Sequence, residues 1–170
     1  HGAGGYGQGR LGMPWLTRRS AEWSLMVIVI LVLMGVLGQQ VRMVQAQGEL
    51  AAIKSTLGAL RTALVIDHLR AAVAQTGQRV APPQRNPFLV LDHVPANYAG
   101  VLGEFQAETV PPGHWVFDDY CHCIGYGPKY HYALDGAGDA PMVWFRVSAP
   151  PGPLQIAPLQ PYYWQGERVN

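Results

Sequence analysis

The sequence predicts an α+β protein in which one long N-terminal helix, with a membrane-spanning half and an amphipathic half, packs against a small antiparallel β-sheet. Three observations predict it. Residues 25–37 contain no charged or amide side chain. Apolar residues then recur in steps of three or four, the period of one helix face. Beyond Gly113, aromatic and β-branched pieces alternate with Gly- and Pro-rich punctuation, the pattern of strands and turns.

The chain opens with HGAGGYGQGRLGMP, a glycine-rich stretch suited to a flexible tail. Residues 1–20 are therefore read as a cytoplasmic N-terminal tail. Trp15 and Trp23 flank Arg18 and Arg19, a pairing suited to the lipid boundary. Residues 21–40 are read as a transmembrane helix, since about 20 apolar residues cross a bilayer core. Its anchoring side chains are Trp23, Leu25, Ile28, Leu31, Leu33 and Leu37. No small-x-small cleavage pattern ends the run and a helical pattern follows at once, so it reads as a retained anchor rather than a secretory signal. Arg10, Arg18 and Arg19 precede it and only Arg42 follows closely. The positive-inside rule then places the N-terminus in the cytoplasm of a bacterium and the remainder, residues 41–170, in the periplasm.

After Gly38 the composition turns to Gln39, Gln40, Arg42, Gln45 and Gln47, while Val41, Val44, Leu50, Ile53, Leu57, Leu60, Leu64 and Val73 keep a helical period. A helix running from 21 to about 76 is on the order of 80 Å long at 1.5 Å per residue, so much of it stands clear of the membrane. Its stripe from Ile53 to Val73, including Leu57, Leu60 and Leu64, is expected to form a core with one sheet face. Gly77 and the prolines that follow are the stop signal. Residues 86–113 read as an irregular connection with a short helix or turn. HWVFDDY, CIGYG, YHYALD and MVWFRVS read as strands of an antiparallel meander, and the tail with Tyr162, Tyr163 and Trp164 is expected to pack back on the domain.

Composition narrows the function. Charged residues make up 14% of the chain and its formal net charge is +1. The basic residues are scattered, with no stripe interleaved with aromatics, which gives no footprint for nucleic acid. GAGGYGQG precedes neither a strand nor a βαβ unit and so is no dinucleotide fingerprint; a Ser-His-Asp context, a phosphate loop and C-x-x-C-H are absent. Asp118 and Asp119 are adjacent and face opposite sides of a strand, which excludes a carboxylate dyad. Asp67 and His68 read as a helix-surface pair. Chemistry is invited only by WVFDDYCHCIGYGPKYHY, with His114, Cys121, His122, Cys123 and His131. Thiolates and imidazoles suit zinc or copper, yet the spacing matches no standard zinc pattern. In a strand the two cysteine Cα atoms lie about 7 Å apart, at the edge of disulfide geometry. A local disulfide between Cys121 and Cys123, or two packed thiols, is expected ahead of a metal held by Cys121, His122 and Cys123. Neither catalysis nor a cofactor is expected.

Taken in order, VIVIL at 27–31, ALRTAL at 59–64, NPF at 86–88, PANYAG at 95–100, PGHWVFD at 112–118, IGY at 124–126, WFRV at 144–147 and QPYYW at 160–164 resemble the type IV pilins and the pseudopilins of type II secretion. Within these they are similar to mannose-sensitive haemagglutinin pilus proteins. The resemblance covers most of residues 21–164 and implies a pilin-like fold: a long N-terminal helix carrying a small sheet. Two hallmarks differ. Trp23 stands where the family carries a glutamate, Arg18 where its leader peptidase needs a glycine, and Glu22 falls one position early on another side of the helix. In the family, cleavage frees an amine that pairs with that glutamate and helps set filament register. The chain is accordingly expected to remain unprocessed, with residues 1–18 attached.

The function expected is a non-enzymatic, single-pass structural or interaction subunit of a larger bacterial inner-membrane assembly. Its partners are lipids and other integral-membrane subunits, as in a respiratory or photosynthetic complex that has recruited it. The alternatives are a minor pseudopilin of a pilus or secretion machine, and a periplasmic metal-binding sensor using the CHC hairpin.

Overall fold

The computed structural model describes residues 1–2, 4, 18–74, 86–104, 110–136, 142–148 and 155–169. Most of the glycine-rich tail, Trp15 and the expected helix stop at Gly77 lie outside them. The chain divides into two units, His1–Met43 and Val44–Asn170, and one helix, α1 (Arg18–Ala74), contributes to both.

In the first unit α1 carries the apolar run, and Gly35 and Gly38 are absorbed into it without a break. Near its start, Ser24 Oγ donates to the Ser20 carbonyl at 2.8 Å. This bond keeps the hydroxyl satisfied within the helix itself.

In the second unit α1 buries Ala46, Leu50, Ile53, Leu57, Leu60 and Leu64. These follow one another at steps of four and three, so a single face meets the core. Burial of that face stops at Leu64. Val73, expected to continue it, is 75% exposed; the helical period persists there, but period alone does not say where the sheet ends.

Five strands make the sheet in the order β1 (Tyr98–Val101), β2 (Trp115–Asp118), β3 (Cys123–Tyr126), β4 (Val143–Ser148) and β5 (Gln155–Pro158). β2 to β5 are antiparallel neighbours, whereas β1 runs parallel to β2. The sheet is therefore mostly antiparallel, and the expected pure meander is corrected at its edge. Register puts Trp115 opposite Tyr126 and Tyr126 opposite Val143. In the next inward row Phe117, Ile124, Phe145 and Pro158 stand side by side. Apart from Pro158, these residues share one core cluster with the helix face. An aromatic chain runs through it, from Tyr98 and Phe88 (stacked, centroids 4.4 Å apart) to Trp115, Tyr126, Phe145 and Tyr162. On the opposite sheet face the Trp144 indole lies across Gly125, so close that a Cβ there would fall 2.7 Å from a ring carbon.

YHYALD is not a strand. Residues His131–Ala133 form a 3₁₀ turn, and only Leu134 makes a bridge, to Trp164. The tail does fold back, as β6 (Tyr162–Trp164) and β7 (Glu167–Val169), a separate two-stranded hairpin. Gln165 and Gly166 link them with φ of 49° and 79°, positive at both central residues as a two-residue hairpin turn demands.

Candidate functional site

Three places in the chain hold side chains that could act outside the fold, or that determine what it can do. The first is the apolar surface of α1. Trp23, Leu25, Ile28, Leu31, Leu33 and Leu37 are each more than half exposed. The helix is long and apolar enough to cross a membrane. A continuous apolar surface of this extent marks a membrane or protein contact.

The second is Glu49, which lies on the buried face of α1 between Ala46 and Leu50 and is 9% exposed. Its Oε1 accepts from the Tyr126 hydroxyl at 2.8 Å and from the Lys129 amide at 2.6 Å, and Oε2 accepts from the Tyr130 amide at 3.0 Å. Two backbone amides of the chain just after β3 are thus satisfied by one helix carboxylate. Burial raises the Tyr126 phenol well above its ordinary value of 10.0, and the hydrogen bond and negative charge of Glu49 push it the same way.

Further contacts fasten the C-terminal hairpin to α1. Trp164 Nε1 donates to the Ala46 carbonyl at 3.0 Å and Gln47 Nε2 to Gln165 Oε1 at 2.8 Å, while Lys54 pairs with Glu167. Arg61 donates to the Ile156 carbonyl at 3.1 Å from the helix side of β5. Glu49 was not among the residues expected from sequence. The available signal was a carboxylate falling in step with Ala46 and Ile53, on the face that has to be buried.

The third place is the turn of residues 119–122 between β2 and β3. Tyr120 N donates to Asp118 Oδ1 at 2.8 Å, a side-chain turn that starts the reversal. A disulfide joins Cys121 to Cys123, with Cα atoms 5.2 Å apart. That is closer than the strand estimate because Cys121 belongs to the turn, and His122 takes φ 54°. With both sulfurs in the bridge, neither is available as a thiolate ligand. His122 Nδ1 is buried without a hydrogen bond and stands 3.9 Å from Asp119 Oδ1.

The other histidines of the sequence cluster are not brought to this turn. His114 precedes β2 at the far end of the hairpin, with Nδ1 3.0 Å from the Pro112 carbonyl oxygen, and His131 is exposed in the 3₁₀ turn. Among the described residues no group of three or more His, Cys, Asp or Glu side chains is placed to hold a metal ion. Asp67 is half-buried and His68 exposed on α1.

No protein-family model, curated protein or solved structure matches the chain.

Proposed function

We propose that this chain is a non-enzymatic, single-pass membrane subunit whose pilin-like α+β domain serves structure or interaction within a larger inner-membrane assembly. The observation that carries the reading is the exposed apolar surface of α1, in the same helix whose following turns are buried in a folded domain. The first needs lipid or the apolar helices of a partner. The second needs only its own sheet. Both oxygens of Glu49, the one buried carboxylate among the described residues, accept hydrogen bonds from the domain itself, which supports a structural role for it.

Orientation follows from Arg18 and Arg19 before the apolar run against Arg42 after it, which favours a cytoplasmic N-terminus and a periplasmic domain. Trp23 and Arg18, at the positions where pilins carry glutamate and glycine, favour an unprocessed chain recruited as an accessory subunit, as in a respiratory or photosynthetic complex. A second reading, a minor pseudopilin of a pilus or secretion machine, is favoured by the order and spacing of the landmark pieces from VIVIL to QPYYW.

Gentle detergent extraction of the native membrane, followed by affinity capture and mass spectrometry, tests the proposal. Recovery with integral-membrane subunits in fixed ratio, and with the residues before Arg19 still attached, is the expected result. A chain found in the soluble fraction would overturn the membrane reading, and one cut near Arg19 and recovered in sheared surface filaments would favour the second.

A further inference from the structure

We propose that the Cys121–Cys123 bridge is redox-labile, opening and closing by exchange with small thiols while the domain stays folded. The inference rests on the β2–β3 turn alone and stands apart from the membrane reading.

The bridge contributes little to the fold. One residue separates the two cysteines, and closing so short a loop takes little freedom from the unfolded chain. The hairpin is held without it by four register pairs, from Trp115 opposite Tyr126 to Asp118 opposite Cys123. β4 pairs along the other side of β3, and the Val147 amide donates to the His122 carbonyl at 3.1 Å.

The closed turn also carries two local costs. His122 is held at φ 54°, in the left-handed region, and its Nδ1 is buried with no hydrogen-bond partner. Opening the ring removes one of the constraints that hold His122 in that region and keep its nitrogen from water.

Access is from one side. Asp119 and Tyr120 are exposed, Tyr120 almost completely at 98%, and Cys121 is half-buried, while Cys123 is fully buried in β3. An incoming thiolate therefore meets Cys121. A bond forms between its sulfur and Cys121 Sγ, the bridge breaks, and the electron pair leaves on Cys123 Sγ, which takes a proton. A second thiolate attacks the sulfur of the first, forming the small-molecule disulfide and releasing Cys121 as a thiolate, which takes a proton in turn. Two small thiols are oxidised and the bridge is reduced by two electrons.

The chain has two cysteines, so alkylation read by intact mass reports this bridge alone. The full-length chain in detergent is equilibrated with reduced glutathione, quenched with iodoacetamide and weighed, with far-UV circular dichroism recorded on the same sample. The expected result is two added alkyl groups on most chains with an unchanged spectrum, since structural bridges resist this pool. His122→Gly, which removes both local costs, should move the equilibrium toward the closed bridge by roughly fivefold, the equivalent of about 1 kcal/mol of left-handed strain. Labelling only in urea, labelling accompanied by loss of the spectrum, or no shift in His122→Gly would each overturn the proposal.

Discussion

Glu49 shows how one residue can decide the course of the chain around it. Its carboxylate takes the amides of Lys129 and Tyr130, so these groups are satisfied by a side chain instead of a strand partner, and the backbone is free to enter the 3₁₀ turn at His131. Glu49→Gln keeps the volume but sets an amide donor against a backbone donor. It should cost about 1–3 kcal/mol of domain stability, the penalty for leaving a buried group unmatched. Urea unfolding checks this, and an unchanged midpoint would show that the second oxygen is dispensable. Tyr126 adds a pH signature. Its phenol is raised in the folded state, so its contribution is fully present below the ordinary value of 10.0 and is lost as the unfolded chain ionises above it. The stability gap between the native chain and Tyr126→Phe should thus hold constant to about pH 10 and narrow beyond it, as unfolding curves at stepped alkaline pH would record. A gap independent of pH would remove the argument. None of this was legible beforehand, because sequence shows that a carboxylate falls on a buried face but not which distant amides it will meet.

At the scale of elements, the helix face is the firmest part of the fold. Leu57 is fully buried at its centre, and Leu57→Ala should lower stability by about 2–5 kcal/mol through lost burial and the cavity left behind. Thermal unfolding should show it as a large drop in midpoint, and a drop no larger than that of an exposed site such as Leu69→Ala would contradict the packing described. This face could be read in advance because its period differs from that of any strand. β2, β3 and β4 could be read as well, from the aromatic and β-branched content of WVFD, CIGY and VWFRVS. Other elements hid for physical reasons. β1 is four residues long and ends a proline-containing stretch. β5 ends in Pro158, a residue expected in loops but tolerated on a sheet edge. The β6–β7 turn uses Gln165 where Asn or Asp is the usual partner of glycine. YHYALD has strand composition, yet Glu49 takes its first amide, that of Tyr130, and the Ala133 and Leu134 amides close onto the Tyr130 and His131 carbonyls in the 3₁₀ turn. The Cys121 and Cys123 pair was legible as a candidate bridge, but the strand estimate took Cys121 as extended, whereas it lies in the turn of residues 119–122.

For the whole molecule, the proposed membrane reading has one helix serve two environments, and a substitution in either half should then be felt where that half resides. Leu31→Arg places a charge near the middle of the apolar run at a cost of about 2.5–3.5 kcal/mol for insertion. The chain should then be lost from membranes washed at alkaline pH, as immunoblotting of pellet and supernatant would show, while the circular dichroism of the sheet domain is retained. Full retention in the pellet would argue against a spanning helix. The clamp of the C-terminal hairpin on α1 has a further consequence, in time. Trp164 and Gln165 reach Ala46 and Gln47 across 118 positions of sequence, which ribosomes traverse in about 6–24 s at roughly 5–20 residues per second. Throughout that interval the face carrying Leu50, Ile53 and Leu57 has been made but its C-terminal cover has not. During synthesis, then, the helix face and the β2–β4 residues that cover it are all made before the hairpin that clamps them.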